Sequence, residues 1–533
     1  MLLGYVSDER YVALPDVLLE FQGATGSFEA RSRATGAVHA DLAPGDYRVT
    51  LFKHGFGSKS VRLSLPLPLP HQFRLLSDCL LGYAWPKCVR AGEKAEFRVH
   101  SVEAYKLELW RYGWEKEFIR NLGWHDEHGP RATMQITPDG DYTQTGVGWN
   151  RQGYNIKVHS QHVEAPDRSG LYYFHASTRG GARFAFPWVV APARPKSPLA
   201  VLASDINWNA YNSFGGRSNY IHATTFPDSP TVNSRQDLVR YTDPTHMFYD
   251  REDYDPLSFD RPEPFNHIDF DQRITDPIES RTGCHLAAAE WRLLGWLERE
   301  GFDYDLYSET QLHFGDLKLD DYQVLVLGPH PEYWSNAMYR ELKSWVQDRG
   351  GKLVYLGGNG LNCEVELVDR STMMVRNGDQ REMRRRGLES RFHLRQESEA
   401  NLLGVVYTEA GAMTGAPFRT VDARHWAFAG TGLKEGDLFG ERSLHMRCAG
   451  GASGHETDKV SPSSPKNVHL LAKGTNRDDG GAHMIHYETP SGGAVFSASS
   501  ITWPSCLPVD DNVSRITGNV LKRFLAAHQS SGR

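Results

Sequence analysis

Beyond residue 197 the chain alternates between short apolar runs and amphipathic stretches of helical period, and this alternation limits most tightly what it can fold into. PLAVLAS (198–204), YQVLVLG (322–328) and KLVYLGG (352–358) have strand length and no polar face, which suits parallel strands buried on both sides. HLAAAEWRLLGWLEREG (285–301) places Leu286, Trp291, Leu294 and Leu297 near helical spacing and stops at Gly301. SNAMYRELKSWVQDRGG offers Ser335 as N-cap and Gly350 after the last turn. Strand, helix and strand in this order imply right-handed crossovers and a doubly wound α/β sheet, in which ligands gather beyond the carboxyl ends of the strands.

The first part of the chain follows a different grammar. GDYRVTLFKHGFGSKSVRLSL alternates apolar and polar residues around Gly turns, so residues 1–80 read as a small β-sandwich-like domain ending near PLPLP (66–70). AEFRVHS, KLELWRYG, GLYYFHAS and RFAFPWVV repeat the period of two, and residues 81–196 read as an Ig-like β-sandwich closed by the linker APARPKSP. Its Trp110, Trp114, Trp124 and Trp188 are expected in core and inter-domain packing rather than on a sugar-binding face. With 533 residues there is room for about three domains. The fold class expected is multidomain β plus α/β: two β-sandwich modules followed by a doubly wound domain over 197–533.

Composition narrows the partners. Against 66 Asp+Glu stand 59 Lys+Arg, a net charge of −7 with no basic block, so nucleic acid is not an expected partner. No apolar run approaches the roughly 18 residues of a membrane helix, and MLLGYVSDERYVALPD lacks the pattern of a secretion signal, so a cytoplasmic location is expected. Cys79, Cys88, Cys284, Cys363, Cys448 and Cys506 show no C-x-x-C pairing, which fits buried free thiols in a reducing compartment.

The strand-end rule selects three loops that should open onto one crevice: SDINWNAYNSFGGRSNY, GPHPEYWS and GGNGLNCE. They carry Tyr211, Asn212 and Tyr220, then His330, Glu332 and Tyr333, then Asn359. Glu332 follows a proline and is rigidly placed at a strand end, as a metal ligand or general base requires. Taken singly, each has a structural reading: Tyr211 as packing, Glu332 as partner of an arginine or of a helix N-terminus, Asn359 as a turn residue. Trp208, Phe214 and Trp334 in these loops suggest apolar pocket walls. A cysteine nucleophile would need a G-x-C-x-G elbow, which the glycines around Cys363 do not form. No G-x-S-x-G elbow follows a strand, no H-E-x-x-H occurs, and His222, His246, His267 and His330 lack a zinc pattern.

The series NWNAYNSFGGRSNY, SFDRP, GPHPEYW, GGNG, FAGTGL and GGAVFSASSITW resembles the large (beta) subunit of N,N-dimethylformamidase and its relatives, from about residue 82 to the C-terminus. The resemblance implies a glutaminase-like (class I amidotransferase-like) α/β domain. It also implies a mononuclear iron (Fe3+) held by two tyrosines and a glutamate, and hydrolysis of the C–N bond of a small N-substituted amide. By motif Tyr211 and Glu332 match iron ligands, and His330 and Asn359 match polar groups of the pocket. The second tyrosine falls in LVRYTDPTHMFYDREDYDPLSFDRP, which departs from the family pattern and offers Tyr241, Tyr249 and Tyr254, with Tyr254 favoured over Tyr241.

Three hard oxygen donors would neutralise a ferric ion and leave positions for water and substrate. In that scheme Glu332, His330 and Asn359 form the catalytic set, His330 passing a proton to the leaving amine and Asn359 holding the oxyanion. A homo-oligomer is expected; the resembled enzyme works with a small partner subunit, and whether this chain needs one is left open. The alternatives are a Cys363-dependent or metal-free amidohydrolase, and a non-catalytic protein that binds a carbohydrate or a partner.

Overall fold

The computed structural model describes residues 1–125, 135–149, 161–219, 225–232, 254–280 and 282–526. The apolar runs become strands of a nine-stranded sheet: β1 (Leu199–Ala203), β2 (Asp305–Ser308), β3 (Val324–Leu327), β4 (Lys352–Tyr355), β5 (Phe418–Thr420), β6 (Leu438–Phe439), β7 (His469–Gly474), β8 (His483–Glu488) and β9 (Ala494–Ser497). Their spatial order is β2-β1-β3-β4-β9-β8-β7-β5-β6.

The first five strands of that order are parallel. The remaining four extend the sheet antiparallel, a pairing that needs no crossover helices. A doubly wound sheet is therefore present, but only its first half is parallel.

Period two explains why each strand needs cover on both faces. Leu199, Val201, Val324, Val326 and Val354 share one core with the helices α2 (Ala287–Arg299) and α4 (Asp511–Ala526). Ala200, Leu202, Leu325, Leu327 and Leu353 share the opposite core with α3 (Asn336–Gln347). Ser335 caps α3 by accepting from Met338 N, and Gly350 takes φ +79 just beyond it, in the left-handed region that favours glycine. The short helix α1 (Asp205–Tyr211) straddles the sheet edge, with Ile206 and Ala210 in one core and Trp208 in the other.

Residues before 197 form β-structure. Leu18–Gly23, Gly26–Arg31, Gly45–Lys53 and Gly57–Leu65 make a four-stranded sheet that shares a core with the three-stranded sheet of Leu2–Ser7, Ala37–His39 and His71–Arg74. A five-stranded and a three-stranded sheet enclose a further core that includes Phe97, Leu107, Phe174 and Trp188.

The outer face of the five-stranded sheet packs on α2, where Tyr112 meets Trp291 at 5.0 Å between ring centroids and Trp291 Nε1 donates to Gly113 O at 2.8 Å. Gly295 of α2 permits this approach: a Cβ there would lie 2.0 Å from Ile274 Cδ1 and 2.9 Å from the Gly113 carbonyl oxygen. Trp110 and Trp114 pack against the same core, whereas Trp124 is 51% exposed and departs from the packing expected of it. Buried Arg74 ties the N-terminal sheets to the loop after α1, donating to Asp8 O and, at 2.7 Å, to Gly215 O. Among the described residues no helix is long and apolar enough to cross a membrane.

Candidate functional site

Three strand ends bring the candidate residues to one place. Tyr211 is the last residue of α1, directly after β1. Glu332 lies beyond β3 and leads into the strand Tyr333–Trp334, which pairs in parallel with Cys363–Glu364. The loop after β4 clamps that segment, since Leu361 N donates to Pro331 O at 2.7 Å and Cys363 N to Glu332 O at 3.1 Å. Asn359 and Leu361 hold φ of +52 and +55 in this loop. A leucine in the left-handed region costs energy and persists only where the surroundings enforce it, a device common at functional sites.

The side chains meet as follows. Tyr211 Oη donates to Glu332 Oε2 at 2.9 Å, and Arg391 Nη2 donates to Glu332 Oε1 at 2.7 Å. His330 Nε2 lies 3.5 Å from Glu332 Oε2 and 3.2 Å from Glu456 Oε2. Asn359 Nδ2 donates to Glu456 at 2.9 Å, and its backbone N–H to Asp458 at 2.7 Å. On its far side His330 Nδ1 meets His285 Nδ1 at 2.9 Å, and the His285 ring stands edge-on to Tyr211 at 4.6 Å. Tyr211, Glu332, His330 and Asn359 thus belong to one network.

Its electrostatics follow from burial and charge pairing. Burial disfavours the His330 imidazolium, but the hydrogen bond and charge of Glu456, with Glu332 and Asp458 behind it, outweigh burial and raise its pKa. Glu456 moves the opposite way: burial pushes it up, and His330 pulls it below the usual carboxylate range. Asp458 is pushed up to about 7 by burial, against the stabilising bonds from Tyr355 and the Asn359 N–H.

Tyr254 is 2% exposed and stands just ahead of the Asp255 and Pro256 carbonyls, both of which accept from Arg217. Tyr220, Tyr241, Tyr249, His222 and His246 lie outside the described residues. Asn212 is buried and donates to Pro262 O at 3.0 Å, a turn-holding bond. Cys363 is fully buried, donates to Asn377 Oδ1 at 2.8 Å, and burial pushes its thiol up to about 12. A thiol so placed is poorly suited to attack a substrate.

The apolar pocket walls expected from Trp208, Phe214 and Trp334 are corrected by the structure. Trp208 Nε1 donates to buried Glu290 and Trp334 Nε1 to buried Glu309, while Phe214 packs in a separate cluster. The cavity beside Glu332 and Asn359, about 440 Å³, is instead lined mostly by polar and charged residues, among them Glu456, Arg391, Gln380 and Arg384, whose carbon stems share its surface with their polar ends.

Glu456, Arg391 and His285 complete the network without any sequence pattern that singled them out. Arg391 opens a five-residue helix, and Glu456 falls between strands of two and three residues. The one sequence signal for Glu456 is H-E-x-D at 455–458, a run of polar groups in a Gly-rich loop.

Behind His285 lies a further group, His445, Cys448 and His455, whose potential ligand atoms fall within 4.8 Å of one another. Cys448 N–H donates to His445 Nδ1 at 3.0 Å, which leaves Nε2 to carry the proton toward His455 Nδ1 at 2.9 Å. The three offer imidazole and thiol donors, which suit a softer ion than ferric iron.

For ferric iron, Tyr211 and Glu332 are better suited. A phenol and a carboxylate oxygen in contact, each anionic once deprotonated, are the donors that a hard cation such as ferric iron takes. The residues present fit that ion through these two, and Tyr254 is buried as well.

A family model described as "N,N-dimethylformamidase beta subunit-like, C-terminal" matches residues 106–515. The N,N-dimethylformamidase beta subunit of Paracoccus aminophilus is 30% identical over 292 residues, 44% of this chain and 36% of that one. A protein of the same name from an Alcaligenes species is 29% identical over 294 residues, with the same coverage. The match thus spans about a third of the length of these relatives. A solved DUF3823 family protein from Bacteroides ovatus aligns with 35% of this chain and 96% of its own at 11% identity and a TM-score of 0.13, too slight a likeness to carry argument.

Proposed function

Because the chain belongs to the N,N-dimethylformamidase beta subunit-like family, we propose that it hydrolyses the C–N bond of an N-substituted amide with a mononuclear ferric ion, on a glutaminase-like α/β domain preceded by two β-sandwich modules. The observation that carries the reading is the 2.9 Å contact between Tyr211 Oη and Glu332 Oε2 at the mouths of two adjacent parallel strands. Tyr211, Glu332 and Tyr254 would hold the ion, which supplies Lewis acidity at the amide carbonyl and a water acidic enough to ionise near neutral pH.

The chain's own residues supply the rest. His330 Nε2, facing Glu332 and Glu456, carries a proton to the nitrogen of the leaving amine. Asn359 spends one N–H on Glu456 and has a second for the oxygen that gains charge as the carbonyl is attacked. Arg391 holds the outer Glu332 oxygen so that the inner one faces Tyr211. The relatives are named beta subunits, which supports a second kind of subunit as partner.

The test is metal analysis of the purified chain, visible spectroscopy and an amide panel. One iron per chain, with a tyrosinate-to-iron absorption lost in Tyr211→Phe, is expected alongside amide hydrolysis. A colourless, metal-free protein that still cleaves amides would overturn the iron, and binding without turnover would overturn the hydrolase.

A further inference from the structure

The geometry points to a substrate much larger and more polar than a dialkyl formamide: an N-substituted amide carrying a hydrophilic, hydrogen-bonding arm that runs from the Glu332 floor to an Arg384–Glu409 mouth. This inference rests on the hydrolase reading and deepens it. The cavity holds about 440 Å³, room for roughly fifteen heavy atoms at about 30 Å³ each, the share of one water in the liquid. Dimethylformamide would fill about a third of that space and touch only the floor.

Exposure grades along the cavity. Glu332 and Asn359 at the floor are 1% and 4% exposed, whereas the side chains of Arg384 and Glu409 at the outer end are 66% and 75% exposed. Between them the wall offers the Asn362 and Gln380 amides and Tyr407, whose phenol is held neutral by burial and by the nearby Glu456 and Glu409 charges.

Pockets for apolar ligands are lined mostly by hydrophobic and aromatic groups with few polar anchors. Here Met383 and Ala412 are the only aliphatic side chains of the lining among the described residues. An alkyl or aryl arm would cover the carbon stems of the lining but strip water from its amides and charges without replacing those hydrogen bonds, at a cost for each unpaired group. A hydrophilic arm replaces them. The mouth presents a guanidinium and a carboxylate 3.8 Å apart, a loose pair through which a polar terminus can bond to both signs of charge. Contacts with such a remote arm can be spent on holding the scissile bond in place, so a truncated substrate loses turnover as well as affinity.

The experiment uses the full iron-loaded chain and compares kcat/KM for dimethylformamide, for formamides and acetamides with hydroxyl- or amide-bearing arms of increasing length, and for alkyl arms of equal length. The polar series is expected to exceed dimethylformamide by about tenfold or more. Arg384→Ala, Glu409→Ala and Gln380→Ala are expected to lower kcat/KM for the long polar amides by a larger factor than for dimethylformamide. Preference for dimethylformamide or for alkyl arms, or mouth variants that affect every amide equally, would overturn the substrate class and leave the hydrolase standing. Failure to cleave any amide with iron bound would bring down the hydrolase reading, and this inference with it.

Discussion

Tyr211 and Glu332 are 121 residues apart in the chain, yet the phenol of one donates to the carboxylate of the other over 2.9 Å. Two adjacent parallel strands, β1 and β3, end at the same level, and each releases its chain directly into the segment that bears one of these side chains. The site is thus a property of sheet topology before it is one of loop sequence. In a parallel sheet every strand delivers its C-terminal loop to the same edge, which places groups remote in sequence within reach of each other.

Tyr211→Phe removes one hydrogen bond to a buried carboxylate and nothing of the ring. Its cost in stability without metal should be about 1–3 kcal/mol by urea unfolding. Iron affinity should fall by more than about tenfold, as measured by metal content after dialysis. Stability loss with iron retained would mark Tyr211 as a packing residue.

Arg391→Ala tests the other side of the same carboxylate. Glu332 is 1% exposed and loses its only arginine among the described residues, leaving a buried carboxylate held by Tyr211 and faced by His330 at 3.5 Å. Breaking one side of a buried pair costs about 3–5 kcal/mol, and Asn377 also loses its bond from Arg391 at 2.9 Å. Denaturation midpoints should show this loss, with Arg391→Lys recovering only part of it, since a lysine cannot serve Glu332 and Asn377 together with a planar fork.

Cys363→Ala separates the metal reading from the thiol reading. The thiol donates to Asn377 in the core beneath the site and is pushed up to about 12 by burial. The variant should keep its amide hydrolysis and lose about 1 kcal/mol of stability through that bond and its packing. Loss of turnover with a normal fold and full iron content would restore Cys363 as nucleophile.

What could be read from the sequence was whatever regular structure imposes. β1, β3 and β4 are apolar on both faces, so their burial was visible as unbroken runs, and Tyr211, Glu332 and Asn359 stand directly after them. Ser335 announced α3 because capping chemistry is local. The far edge of the antiparallel half was not visible, since β5 and β6 have three and two residues and carry no readable period. Glu456 and Arg391 reach the site from irregular chain, where only tertiary packing decides where a side chain points. Trp208 and Trp334 misled for the same reason: their indole N–H groups sought buried carboxyls, not the cavity.

Those buried carboxyls make stability depend on pH. Glu290 accepts from Trp208 Nε1 at 2.9 Å and from Ser204 N at 3.1 Å through one oxygen. Its Oε2 has no hydrogen-bond partner among the described residues. Burial pushes the group up to about 8, against the pull of those two bonds and with Asp205 and Glu263 adding repulsion. The folded state therefore keeps a proton that the unfolded chain releases near 4.5. The stabilisation is complete below about pH 4.5 and is lost as pH rises toward about 8. At about 1.4 kcal/mol per pK unit the change is on the order of a few kcal/mol. Glu290→Gln keeps an oxygen for Trp208 and Ser204 but cannot ionise. Its unfolding free energy, measured by urea titration from pH 5 to 9, should fall less steeply with pH than that of the wild type. Parallel curves for the two proteins would show that Glu290 is already ionised in the fold.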